Sequence, residues 1–160
     1  MKSAENRVKS EYELKLLAER YCAGSEHSVW QVKTKLCEWG VESQAAMERI
    51  ISCLIKNNYI DELRFARAVV HDKLMFNKWG RIKIRFYLKN QHIDEPIINT
   101  AMELIDETEY LEILKNVVVN KSKSLKETDK WQRNAKLMRS VVQCGFEPEL
   151  VRSFVSLPED

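Results

Sequence analysis

The stretch Tyr59–Gln91, YIDELRFARAVVHDKLMFNKWGRIKIRFYLKNQ, decides how the chain is organised. Asp61 stands where a helix N-cap belongs, and Leu63, Phe65, Ala66, Val69, Val70 and Leu74 recur at the spacing of an amphipathic helix. Asn77–Gly80 breaks that pattern with turn-forming residues. A second helix, Arg81–Gln91, follows. At about 100° per residue, Ile84, Tyr87 and Leu88 share one face and Arg81, Arg85 and Lys89 form an i, i+4, i+8 stripe beside it. Trp79, Ile82 and Phe86 fall on a third side. A helix that is apolar in two directions is expected to pack against neighbours on both flanks. Packing is therefore the preferred reading of Trp79, Ile82 and Phe86, ahead of a partner-binding patch.

The segments on either side repeat this order. Downstream, Asp94 caps a helix with Pro96 in its first turn, striped by Ile98, Ala101, Met102 and Ile105. Upstream, Met1–Ser10 reads as a loose polar arm, and Leu14, Leu17, Ala18 and Tyr21 mark a helix that Gly24-Ser25 ends. Ser28 and Gln31 have capping-box spacing before Val29, Val32 and Leu36, and Gly40 is placed as a left-handed stop. Ser43 can cap a third helix bearing Met47, Ile50, Ile51 and Leu54. A last round starts near Thr108 with Tyr110, Leu111, Leu114, Val117 and Val118, then crosses the polar link Asn120–Asp129. It ends in a helix with Trp131, Ala135, Leu137, Val141 and Val142, a Gly145 stop, and a short helix opened by Pro148.

The copies align at their middle helices. Val32, Leu36, Gly40 and Val41 correspond to Ile84, Leu88, His92 and Ile93, and again to Leu137, Val141, Gly145 and Phe146. A period of roughly fifty residues built from one supersecondary unit is a repeat signature. The predicted fold is all-α: an elongated array of three tandem three-helix repeats, each similar to a helix-turn-helix. The expected boundaries are an arm at 1–10 and repeats at 11–60, 61–106 and 107–160, the middle one carrying the basic second helix. The alternative is an ordinary all-α bundle whose helices merely resemble one another, and the matching glycine stops favour repeats.

At 160 residues and 44% hydrophobic content the chain can bury a core or a short array of small ones. Its formal net charge is only +2, so any argument for a polyanionic partner must rest on local clustering. Lys78, Arg81, Lys83, Arg85 and Lys89 occur with no acid between them, and Asp94–Glu112 then carries acids with no Lys or Arg. Such banding fits solvated helix faces as well as a binding surface. Cys22, Cys37, Cys53 and Cys144 make no C-x-x-C pair and no secretory leader precedes them, which points to a reduced, cytoplasmic chain. No apolar run is long enough to span a bilayer.

Chemistry is thinly represented. His27, His71 and His92 are scattered, with no metal-ligand spacing, so no metal site is expected. With four glycines the chain has no phosphate-binding loop, and no cofactor is expected. The cysteines fall mostly among helix core positions, where a buried thiol is ordinary, so a thiol enzyme is the weakest reading. The basic helix says more. Lys78, Arg81, Lys83, Arg85 and Lys89 stabilise nothing unless a partner or the following acidic segment neutralises them. Four phosphate contacts on a single strand would give a log–log salt slope of about −3, whereas protein carboxylates would act mainly on the association rate.

YIDELRFARAVV followed by WGRIKIRFYLKNQHID resembles the central signature of the RecX regulatory proteins. That family commonly reads D-D-x-R-F-A, a break containing Gly, then a basic R-x-I-x-x-x-L helix ending in K-G-I-D. Asp61, Arg64, Phe65 and Ala66 match the first part, and Gly80, Arg81, Ile84 and Leu88 the second. Ser28 through Leu36 and Gly40 is similar to the family's S-x-x-E-L-x-x-K-L-x-x-K-G. Gln31 departs from the usual Glu, Glu62-Leu63 from a more acidic pair, and Gln91-His92 from Lys-Gly.

The resemblance implies tandem three-helix repeats, no enzymatic activity, and binding to the RecA recombinase along its filament on single-stranded DNA. There such proteins limit filament growth and so restrain strand exchange, ATP hydrolysis and co-protease activity. An elongated array could touch several protomers at once. The expected contact residues are Lys78, Arg81, Lys83, Arg85 and Lys89, facing RecA, nearby DNA backbone, or both. Asp61, Arg64 and Phe65 are expected to hold their unit together. A monomer with no membrane contact is expected, and the competing function is a helix-turn-helix nucleic-acid binder with no RecA role.

Overall fold

The computed structural model describes residues 7–155, which form helices joined by short links, with no strand among them. In chain order these are α1 (Glu11–Gly24), α2 (Val29–Glu38), α3 (Gln44–Lys56), α4 (Glu62–Met75) and α5 (Arg81–Asn90). Then come α6 (Glu95–Met102), α7 (Glu107–Lys123), α8 (Lys130–Gln143) and α9 (Pro148–Phe154). Residues 1–6 of the expected N-terminal arm lie outside the described residues. Ser10, read from sequence as part of that arm, is instead the N-cap of α1. Its hydroxyl accepts the Glu13 N–H and Glu13 reaches back to the Ser10 N–H, a complete capping box.

The other starts follow local chemistry. Ser28 and Gln31 form the capping box of α2, and the Ser43 hydroxyl accepts the Ala46 N–H at the head of α3. Asp61 accepts the Arg64 N–H through its carboxylate at 3.0 Å and the Phe65 N–H through its carbonyl at 2.9 Å. Asp94 sits at the N-cap of α6 without a side-chain bond, and Pro96 occupies the first turn, where a missing N–H costs nothing.

The middle helix of each trio ends in the same way. Gly40, His92 and Gly145 all have left-handed backbone, at φ 86°, 59° and 95°. Val32 and Leu36, Ile84 and Leu88, and Leu137 and Val141 are buried one and two turns earlier. Three equivalent stops over three equivalent buried pairs identify repeats of one unit. His92 takes a conformation that costs a non-glycine residue roughly 1 kcal/mol. Its ring stacks on Trp30 at 4.8 Å, and the neighbouring Gln91 accepts a hydrogen bond from Gln31 at 2.9 Å, contacts that offset the strain.

The chain divides into two compact units, one holding residues up to Phe65 with Gln91–Ile93, the other Ala66–Asn90 with residues from Asp94 on. In the first, α1 packs on α2 and α3, and α2 on α3. Leu14, Ala18, Val32, Leu36, Ile50, Leu54 and Ile60 form its core, with Tyr21 and Trp39 against the edge. Removing any one of the large side chains to Ala there should cost about 2–5 kcal/mol. Arg64 belongs to this unit and binds the Glu26 carboxylate and the Asn58 carbonyl, so it ties the start of α4 to the chain on either side of α2 and α3. In the second unit α5 packs on α6, and α7, α8 and α9 pack on one another. Tyr110, Leu114, Val141, Phe146 and Val151 are fully buried there.

Three expectations are corrected. Ile82 and Phe86 are not packing residues: they are 52% and 64% exposed, because no described residue covers that side of α5. Trp131 sits in the first turn of α8 and is exposed, outside the stripe that Leu137 and Val141 continue. Of the cysteines only Cys22 is buried, while Cys37 is exposed and Cys53 and Cys144 are half-buried.

Candidate partner-binding site

The five cations singled out on and before α5 do not form one surface. Arg81 is the most enclosed. Gly80 donates its N–H to the Cys144 carbonyl at 2.8 Å and Ile82 donates to Gly145 at 2.9 Å, so the first turn of α5 lies on the turn that ends α8. That docking carries Arg81 over Tyr110. Its guanidinium lies 3.9 Å from the ring centroid, and its backbone N–H donates to the phenol oxygen at 3.1 Å. Its Nε donates to Glu147 at 2.7 Å and its Nη1 to Glu107 at 2.9 Å. The Tyr110 hydroxyl closes the ring of bonds by donating to the other Glu147 oxygen at 2.6 Å.

Electrostatics follow from this enclosure. Burial works against the Arg81 charge, but the hydrogen bonds to Glu107 and Glu147 outweigh it and raise its pKa. Burial pushes the Tyr110 phenol up, and its bond to Glu147 adds to the shift. The bond from Arg81 holds the Glu107 carboxyl below its ordinary range. Arg81 is thus committed to intramolecular bonds as the clasp between the head of α5, α7 and the head of α9.

The rest of the stripe is neutralised more loosely. Arg85 donates to Glu95 at 2.7 Å and to Asn99 at 2.9 Å, and Lys89 lies 3.4 Å from the other Glu95 oxygen. The acidic segment that follows α5 in sequence is therefore what meets the stripe. These pairs are half-exposed or exposed, so each is worth less than about 1 kcal/mol and can be exchanged for a partner's groups. Beside them Ile82 and Phe86 stand one turn apart, and an open groove is lined by Ile82, Arg85, Asn99 and Met102.

Lys83 turns to Trp79, and Lys78 precedes the helix. Lys78 is exposed on a left-handed backbone at φ 56°. The Lys83 ammonium lies 4.4 Å from the Trp79 ring centroid, and that of Lys73 lies 4.7 Å from the same ring and 5.0 Å from Tyr87. Lys73 was not singled out in the sequence. It sits before the break, and its periodicity alone gives no hint that α4 returns it to Trp79. Among the described residues no group of His, Cys, Asp or Glu could hold a metal ion, and no helix is long and apolar enough to cross a membrane.

A family model described as the second three-helix domain of RecX matches residues 61–102, which span α4 to α6. A Regulatory protein RecX of Clostridium tetani is 30% identical over 128 residues, which cover 79% of this chain and 58% of the relative. Another from Leuconostoc mesenteroides is 24% identical and covers 87% of this chain and 52% of the relative. The chain thus spans a little over half the length of these two relatives. The crystal structure of RecX from Lactobacillus salivarius superposes with a TM-score of 0.80 over 91% of this chain and 94% of that one. At 17% identity that likeness speaks for the fold.

Proposed function

The chain belongs to the RecX family of regulatory proteins, and from that premise we propose that it binds the RecA recombinase and its filament on single-stranded DNA. Bound there it limits filament growth, and so lowers recombinase, ATPase and co-protease output, with no bond-making chemistry of its own. The observation that carries the reading is the family match over residues 61–102, the segment that holds α5. That helix leaves Ile82 and Phe86 exposed beside Arg85 and Lys89, which among the described residues share Glu95 as their acidic partner. An apolar pair flanked by exchangeable ion pairs is the composition of a protein-docking face. In this reading Arg81 positions the face and Arg85, Lys89, Ile82 and Phe86 touch RecA.

The test is a titration of the protein against the ATPase of RecA assembled on single-stranded DNA, with filament length followed in parallel. Inhibition and filament shortening are expected at substoichiometric protein. Unchanged ATPase and filaments at micromolar excess would overturn the proposal, and sequence-specific duplex binding in its place would establish the helix-turn-helix alternative.

A further inference from the structure

We propose that Glu95 is an internal stand-in for a carboxylate of the protein partner, and that the exposed side of α5 recognises an acidic side chain set beside apolar ones. The inference rests on the proposed function and adds to it the chemistry of the contact and a residue that restrains it. Glu95 bridges two cations one turn apart. Arg85 donates to its Oε1 at 2.7 Å, and the Lys89 ammonium lies 3.4 Å from its Oε2. A single carboxylate therefore fits the space between them. Asn99, one turn after Glu95 on α6, accepts a further hydrogen bond from the same Arg85 nitrogen at 2.9 Å.

The bridge can be given up at little cost. About half of the Glu95 and Lys89 side chains is in water, which screens both pairs. Arg81, on the same stripe, is held over the Tyr110 ring by Glu107 and Glu147 and has no such freedom. A displaced Glu95 carboxylate turns to solvent in the first turn of α6, the positive end of that helix, where an acid is stabilised without either cation. Ile82 and Phe86 stand exposed on α5, and Ile82 and Met102 line the groove that Arg85 and Asn99 share. Of the acids along that groove, Glu147 is held by Arg81, and Glu103 caps the far end of α6, two turns from Glu95. The apolar surface chooses between anions. A protein segment brings apolar neighbours that cover it, whereas a phosphate strand leaves it in water.

An internal competitor lowers apparent affinity by the fraction of time that it leaves the site open. Exposed pairs of this kind stay closed roughly three quarters of the time, so removing the Glu95 charge should strengthen binding about fourfold. The test is inhibition of the RecA ATPase on single-stranded DNA, titrated with variants whose melts confirm that they fold. Glu95→Gln should reach half inhibition at about a quarter of the wild-type concentration, a gain that misfolding cannot produce. Asn99→Asp, which sets a second carboxylate on Arg85, should need about fourfold more protein. Glu112→Gln and Asn116→Asp make the same changes of net charge at exposed positions of α7 and should match wild type. A wild type that inhibits while Glu95→Gln is no stronger, or Asn99→Asp no weaker, overturns the stand-in and leaves the proposed function standing. A wild type that does not inhibit overturns both. A gain in Glu95→Gln that is matched in its affinity for oligothymidylate without RecA would assign the site to phosphate and overturn the carboxylate.

Discussion

Gly80 and Gly145 meet backbone to backbone. A Cβ built on Gly80 would lie 2.3 Å from the carbonyl carbon of Gly145, and one built on Gly145 would lie 2.3 Å from the Cβ of Lys83. Neither obstacle is the end of a flexible side chain, so the turn after α8 and the head of α5 would have to separate. Gly80→Ala is expected to cost about 3 kcal/mol. Gly40→Ala has open space around it and meets only the left-handed backbone penalty, about 1 kcal/mol. Thermal melts of the two variants check this. Equal losses would show that the close approach is not what holds α5.

Arg81 and Arg85 should behave differently although they are one turn apart on the same stripe. Arg81→Gln leaves the Glu147 carboxylate and the face of the buried Tyr110 ring without their cation and should cost about 2 kcal/mol, a Tm drop of roughly 6 °C. Arg85→Gln breaks a solvent-exposed pair with Glu95 and should cost under about 1 kcal/mol. If both variants melt together with wild type, the Arg81 clasp contributes no stability.

The clasp also predicts an acid limb. Glu107 has a lowered pKa in the folded protein because Arg81 donates to it. Its contribution is therefore fully present above the ordinary value of 4.5 and is lost as pH falls through the lower folded value. The Tm gap between wild type and Glu107→Gln should be constant from neutral pH down to about pH 5 and close below pH 4.5. A gap that persists at lower pH would assign the effect to packing.

The thiols should separate by access. Burial, with a smaller contribution from Glu26, pushes the Cys22 thiol up to about 11, while Cys37 is exposed. In native protein an aromatic disulfide reagent at pH 8 should modify Cys37 first and leave Cys22 until the protein is denatured. Fast labelling of Cys22 would mean that α1 opens locally.

The exposed apolar pair gives the sharpest check on the RecA face. Ile82→Ser/Phe86→Ser should change stability by less than about 0.5 kcal/mol, since both side chains are largely in water. The same variant should raise the concentration needed to inhibit the RecA ATPase by tenfold or more. Full inhibition at the wild-type concentration would move the contact off this side of α5.

What the sequence determined by itself is everything that depends on neighbours within a turn or two. Helix starts at Ser28, Ser43 and Asp61, stops at Gly40 and Gly145, and the buried pairs Val32–Leu36, Ile84–Leu88 and Leu137–Val141 are all local periodicity and capping, legible residue by residue. The left-handed stop at His92 was legible only through its alignment with Gly40 and Gly145. The capping box at Ser10 and Glu13 was equally local and was hidden by the polar composition around it.

Only the tertiary structure decided what the cations of α5 do. Arg81 finds Glu107 and Glu147, 26 and 66 residues further along, because the Gly80–Gly145 contact lays one helix head on another helix end. Periodicity assigns a side chain to a face of its own helix. Which face is left bare, as at Ile82 and Phe86, and which charge meets an acid from a distant segment depend on how helices pack, and packing is set by contacts that sequence spacing does not record.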